Sequence, residues 1–186
     1  MNDTTEMVRL NEIVADLQRQ VETLQTQVRA LEDDREIREL LARYGYLADQ
    51  GLDEAFVDLF TEDGEMNLVA PGNNDDALRW QGHERLLTFI SGREHVRGEP
   101  PRSVKADGRR MHAQGNNLRT YIDGDTAVAE TYSLVLTKEK DGGRIDLDAG
   151  SNRWTLQRVD GRWKIRERMR RGMGLPSFHD TFRTKS

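Results

Sequence analysis

MHAQGNNLRTYIDGDTAVAETYSLVLTK, residues 111–138, reads as two alternating runs of apolar and polar residues hinged at DGD, and GSNRWTLQRVDGRWKIRERM, residues 150–169, repeats the pattern around VDGR. Alternation with period two marks strands that bury one face, and Asp-Gly pairs suit the tight turns between them. Four strands are predicted, over 111–122, 126–138, 148–158 and 162–171, with DGG between the middle pair. Upstream the pattern changes. Helices are predicted over 37–49 and 53–60 around a turn at Gly51, then a short strand over 65–69 and a polar loop over 70–78. A third helix follows Gly82, and a Gly/Pro/Arg loop fills 92–109. Helices first and a long meander after is an α+β arrangement, with helices covering one face of an antiparallel sheet.

Before this domain lies a different kind of periodicity. Met7, Val14, Val21 and Val28 recur every seven residues, as do Leu10, Leu17, Leu24 and Leu31, offset by three. That is an a/d heptad over four repeats with no Gly or Pro to break it, the pattern of a coiled coil. Val at a with Leu at d favours two strands, while Ile13 at g widens the seam and could favour three. The heptad ends where Arg35 and Arg38 would take its core positions, and a new apolar phase starts at Ile37 behind a capping-box-like pair, Asp33 and Glu36. The expected organisation is a coiled-coil helix over 1–34, an α+β domain over 35–174 and a tail over 175–186.

Composition narrows the function classes. The chain has 186 residues, 28 Lys and Arg against 33 Asp and Glu, and a net charge of -5. Residues 1–36 hold four Arg and nine acids, so the other 150 residues balance at 24 against 24. A cluster of seven cations between Arg158 and Arg171 alternates along a strand with no aromatic interleaving beyond Trp163, and nucleic acid is not expected as a partner. No apolar run approaches the roughly 18 residues of a membrane span, and the acidic, polar start does not resemble a secretion signal, so a cytoplasmic protein without membrane contact is expected. Cys is absent, which excludes disulfides and thiolate chemistry. No His-x-His or helical His-x-x-x-His occurs, and no metal site is expected.

The stretches IRELLARYGYLADQGLDEAFVDLFTEDGEM (37–66), WQGHERLLTFI (80–90), MHAQGNNLRTYIDGDTAVAETY (111–132) and GSNRWTLQRVDGRWKIRERM (150–169) resemble, in order and spacing, the SnoaL-like branch of the nuclear transport factor 2-like superfamily. That branch contains scytalone dehydratase, a hexachlorocyclohexane dehydrochlorinase, polyketide cyclases and formaldehyde-releasing lyases. The resemblance covers about residues 37–172 and implies a cone of curved antiparallel sheet closed by helices, a deep and mostly apolar pocket, and no cofactor. The family's pocket acid sits near the end of the first helix, a few residues after an aromatic, which implies Asp49 after Tyr44. Leu41, Tyr44, Gly45 and Ala48 share its helix face, and an acid in such surroundings is shifted towards general-base values. The alternative reading of Asp49 is a helix terminator before Gly51, and Asp53 reads as the next helix's N-cap.

The family commonly has a His four positions before an Asn in the third strand, which implies His112 with Asn116. Counted back from the GDTA turn, Asn117 takes that place instead, so a bulge could intervene. In the last strands Asn152 and Trp154 share one face, as do Trp163, Ile165, Glu167, Met169 and Arg171. If Trp163 and Ile165 point inward, Glu167 and Arg171 point with them unless a bulge reverses the phase; the family also often shows an Arg at the position of Arg168, on the opposite face. His83, His95 and His179 read as surface residues.

The expectation is a cofactor-independent lyase acting on a small, apolar, aromatic substrate. His112 and Asp49 would remove a proton while Tyr44 and the Asn amides hold the leaving oxygen, with Asn116, Asn152, Trp154, Glu167 and Arg171 contacting substrate. An isomerase or cyclase would use the same parts, and a noncatalytic ligand-binding or assembly module is the rival from another class. The expected assembly is a homo-oligomer, dimer or trimer, through the coil, with the sheet as a further candidate surface.

Overall fold

The computed structural model describes residues 2–69, 77–92, 109–139 and 143–182, apart from the side chains of residues 2–5, 115 and 116. The chain divides into two compact units, Met1–Glu36 and Ile37–Ser186. Helix α1 (Asn2–Gln50) is unbroken across the boundary. Asp33 and Glu36 therefore sit inside a helix instead of starting one, because no Gly or Pro interrupts the backbone bonding there. In the first unit the eight heptad residues are all between 50% and 71% exposed in the single chain. No helix among the described residues is long and apolar enough to cross a membrane.

In the second unit the last turns of α1 bury Ile37, Leu40, Leu41, Tyr44 and Ala48, an i, i+3, i+4, i+7 stripe. Helix α2 (Asp53–Val57) is shorter than expected, and Leu52 takes the N-cap position without a side-chain bond, so Asp53 is its first helical residue. Strand β1 (Phe60–Val69) starts five residues before the predicted strand, and β2 (Leu78–Gln81), not foreseen, pairs with it. Helix α3 (His83–Ile90) follows. His83 is half-buried, with Nε2 3.2 Å from the Phe60 carbonyl, and so is not a surface residue. His179 is exposed, and His95 lies outside the described residues.

Strands β3 (Arg110–Asp123), β4 (Thr126–Lys138), β5 (Ile145–Val159) and β6 (Arg162–Gly172) form the predicted meander. The sheet order is β2-β1-β6-β5-β4-β3. The expectation of a wholly antiparallel sheet is corrected at one seam. The meander starts at the far edge and zigzags back, and β6 arrives beside β1 running the same way, so that pair is parallel and the curved sheet is mixed. The core lies between the helices and one face of the sheet, where Tyr44 meets Phe56 and Trp154 at ring-centre distances of 4.6 and 5.1 Å. A 3₁₀ turn (Pro176–Phe182) occupies most of what was expected to be a tail. Phe178 and Phe182 pack on Tyr132, and the Phe178 carbonyl accepts a 2.5 Å bond from Ser151 Oγ.

One irregularity decides which residues face inward. On β6, Ile165 pairs with Leu156 and Glu167 with Thr155, so Arg166 is an extra residue with no partner on β5. Such a bulge reverses the alternation beyond it. Strand β1 bulges opposite, between Phe60 and Glu65, and Arg166 Nη1 bonds the Asp63 carbonyl there at 2.8 Å. Gly64 is required at this crowding: a Cβ would lie 2.9 Å from the Ile165 carbonyl oxygen, Phe60 Cβ and the Thr61 carbonyl oxygen.

Candidate active site

Because of the Arg166 bulge, Trp163 and Ile165 are buried on the inner side and so are Arg168 and Arg170, while Glu167 and Arg171 turn to the opposite face. There Glu167 accepts a 3.1 Å bond from Asn67 Nδ2, and Arg171 Nη1 donates to the Asn67 carbonyl and Oδ1 at 3.2 and 3.1 Å. The expectation that Glu167 and Arg171 contact substrate in this cavity is therefore corrected, and the inward cations are Arg168 and Arg170. The cause is an inserted residue that a single strand's pattern does not reveal.

On β3 the register shifts twice, between Ala113 and Asn116 and again between Asn116 and Arg119. Each shift leaves one extra residue on β3, and the two together restore the alternation, so Leu118 and Ile122 pack against the core on the face that carries His112. Asn116 pairs through its backbone with Tyr132, and its side chain lies outside the described residues. Asn117 is exposed, with a positive φ of 56°.

Asp49 and His112 meet across the gap between α1 and β3. Asp49 Oδ2 accepts the His112 backbone N–H at 2.8 Å, and Oδ1 lies 2.5 Å from His112 Nδ1. Both carboxylate oxygens are thus spent on one residue. With Asp49 ionised, Nδ1 carries the proton and Nε2 is left as an unprotonated nitrogen, without a hydrogen-bond partner among the described residues. Gly45 eases the approach: a Cβ at that position would stand 3.2 Å from His112 Cβ, so the strand would have to give by a few tenths of an ångström. Burial lowers the His112 pKa below the usual 6.5 and outweighs the Asp49 hydrogen bond that raises it; the cations of Arg110 and Arg168 lower it further. His112 is therefore neutral at neutral pH, the form that can accept a proton.

Opposite this pair stands Arg168, 4% exposed. Its Nε and Nη2 donate to Asn152 Oδ1 at 3.1 and 2.9 Å, and its Nη1 donates to the Tyr44 hydroxyl oxygen. The guanidinium carbon lies 4.7 Å from the Tyr44 ring centre and 4.9 Å from that of Trp154. Trp154 is fully buried and bonds Thr131 Oγ1 at 3.0 Å, so it supports Arg168 from behind instead of facing the cavity. Asn152 is likewise fully buried.

A narrow recess with a cavity volume of about 50 Å³ lies between these groups. Ala48, Met66, Leu68, Phe89, Ile90 and Val135 form its apolar walls; Tyr44, His112, Arg110, Arg168, Arg170 and Asp148 are its polar groups. Arg170 Nη2 is matched by Asp148 Oδ1 at 2.6 Å. Among the described residues no three His, Asp or Glu converge as a metal-ion site would require. A positioned base facing a polarised phenol and a buried cation across an apolar cavity is suited to moving a proton at a carbon next to an oxygen.

Residues 29–169 match the model of the SnoaL-like domain, and the chain belongs to that family. The family includes enzymes that work without a cofactor, dehydratases and isomerases among them. A nuclear transport factor 2-like protein with a cystatin-like fold from Novosphingobium aromaticivorans is 31% identical, with 87% of this chain and 96% of that one covered and a TM-score of 0.72. A candidate scytalone dehydratase from the same organism is 21% identical over 77% of this chain and 86% of that one, TM-score 0.59. A candidate calcium/calmodulin-dependent protein kinase II association domain from Xanthomonas campestris is 16% identical over 75% and 87%, TM-score 0.56. These last two likenesses show the fold alone. No curated protein matches the chain significantly.

Proposed function

We propose that the chain is a cofactor-independent lyase that removes a proton from carbon in a small, largely apolar, aromatic substrate. The observation that carries the proposal is the two-point grip of Asp49 on His112, which fixes the ring and its tautomer with Nε2 left as the base. In the reaction Nε2 takes the proton, the C–H electron pair enters a new double bond, and the leaving group departs with its oxygen held by the Tyr44 hydroxyl. Loss of water follows this course, the Tyr44 hydroxyl passing its proton to the departing oxygen and regaining one from the Nε2 imidazolium; loss of formaldehyde uses the same base differently, Nε2 taking the proton of a hydroxymethyl O–H while the carbon–carbon electron pair enters the new double bond. The rival role, a noncatalytic module, gives no reason to hold a neutral histidine against an open cavity. The seam of residues 7–31 is proposed to assemble copies of the chain, since eight aligned apolar residues find cover when the same helix of a second copy meets them in register.

The test is to incubate the protein with a library of small aromatic alcohols, ketones and acids in D₂O and to follow products by mass spectrometry. Wild-type-dependent loss of water or formaldehyde, abolished in His112→Ala, is expected. Deuterium uptake with unchanged carbon skeleton and no leaving group would identify an isomerase instead, and no wild-type-dependent change with any compound counts for the module.

A further inference from the structure

The hydrogen-bonding capacity left around Arg168 is all of one kind. The guanidinium has five N–H donors, of which three are used, on Asn152 and Tyr44. Asn152 has given its oxygen to Arg168, and its Nδ2 is buried with no partner. Tyr44 has given its oxygen to the same guanidinium, which leaves the O–H to donate. Two guanidinium N–H groups and the Tyr44 hydroxyl therefore remain as donors on the wall of the recess, with no acceptor supplied to them, and a further unpartnered donor, Asn152 Nδ2, lies buried on the residue that holds Arg168.

The charge there is also unmet. Both partners of Arg168 are neutral, and no carboxylate lies within ion-pair distance of it among the described residues. Asp148 is engaged by Arg170 and Asp49 by His112. A buried cation without an anion carries a desolvation cost that an incoming anion relieves. Neutral alcohols and amides bring donors of their own to a place that has donors in excess; an ionised carboxylate brings acceptors only, plus the missing charge.

We propose that the cavity takes its substrate as a carboxylate, seated on the Arg168 guanidinium with the Tyr44 hydroxyl as a flanking donor and Asn152 holding the guanidinium in place. This assignment rests on the cavity being the active site, as proposed above, but not on which reaction occurs there.

The full-length protein titrated with benzoate, benzamide and benzyl alcohol by calorimetry tests it, with the ring signals of His112 followed by NMR. Benzoate is expected to bind at least about tenfold tighter than its neutral isosteres, as a charge-assisted contact would give, and to move the His112 signals. Arg168→Gln should erase that preference. Should Arg168→Gln fail to fold, Asn152→Asp serves: it supplies the anion internally and should abolish benzoate binding. Equal binding of benzoate and benzamide, benzoate binding that leaves His112 unmoved, or binding that survives whichever variant folds would overturn the proposal. Benzoate binding beside unimpaired turnover in His112→Ala would sink the acid/base mechanism and leave the carboxylate site standing.

Discussion

Asp49→Asn separates positioning of the base from simple packing. The carboxylate accepts two bonds, from the His112 backbone N–H at 2.8 Å and from Nδ1 at 2.5 Å. An amide has one oxygen, so one of the two contacts becomes donor against donor, or the amide N–H₂ turns to Nδ1 and forces the proton onto Nε2. The first outcome loses a charge-assisted bond worth about 1.5–3 kcal/mol; the second leaves His112 in the tautomer that cannot accept a proton. Turnover on the substrate found by screening should fall by about 10² to 10⁴, the range of a general base. The melting temperature should drop only by about 2–4 °C per kcal/mol lost in a chain of this size.

The pH profile supplies a readout that packing would not move. In the wild type burial holds the His112 pKa below 6.5, so the acid limb of kcat/KM should lie below the ordinary histidine value. Asp49 acts in the raising direction, through its hydrogen bond and its charge. Removing that charge should shift the limb to still lower pH, visible also as the NMR titration of His112 without any substrate. A limb that moves up, or a variant within twofold of wild-type turnover, would refute Asp49 as the orienting partner.

Gly45→Ala places a Cβ 3.2 Å from His112 Cβ, and it should cost about 1–3 kcal/mol in a denaturant titration while also lowering turnover, since the strand must retreat from the helix. Gly64→Ala, at 2.9 Å from three atoms of the β1/β6 bulge, should destabilise by at least as much; an unchanged midpoint would mean that the bulge is soft. Leu17→Glu with Leu24→Glu should reduce the mass seen by light scattering while the circular dichroism of the sheet persists, and an unchanged mass would exclude the heptad seam as the assembly surface. For stability, the lowered His112 pKa means that the unfolded chain binds its proton first as pH falls, so this residue contributes nothing above about pH 7, and its destabilisation of the fold grows from pH 6.5 down to its folded pKa and stays at full size below it.

The architecture was readable because its signals are local. Period-two runs, Asp-Gly turns and the i, i+3, i+4 stripe from Ile37 to Ala48 each sit within one element, and all four strands of the meander were found within a few residues. Tyr44, Asp49 and His112 were nominated by the resemblance to the SnoaL-like branch, and alternation and helix spacing could support them because each lies on a regular stretch whose face the pattern defines. Glu167, Arg168, Arg170 and Arg171 could not. Their faces depend on Arg166 having no partner on β5, a relation that shows only in how the two strands pair, Thr155 with Glu167 and Leu156 with Ile165. A run of alternating Arg carries no hydrophobic contrast with which to detect the slip. Strand β2 was missed because four residues, LRWQ, between a polar loop and a helix show too little alternation to be read.

Where the unsatisfied polar groups fall distinguishes a working site from a worn one. A buried amide or hydroxyl without a partner costs about 1–3 kcal/mol, so a chain under selection for stability alone tends to lose such groups. Asn152 Nδ2 and both polar atoms of Gln114 are buried and unpartnered. Asn152 holds Arg168, and Gln114 lies against α1 beside Gly45 on the face of His112. The inner face near the cavity thus retains unmet donors next to the base. Glu130 Oε1 is the counterexample, buried and unpartnered at a register position flanked by Arg119 and Arg153, away from the cavity. The two cases make opposite predictions: Glu130→Gln should be close to neutral for ligand binding and turnover, whereas Asn152→Leu, which deletes the orphan donor and the acceptor that Arg168 uses, should abolish both. If Asn152→Leu instead leaves ligand binding intact, the unmet polar groups around the cavity are defects of packing and carry no information about what the cavity receives.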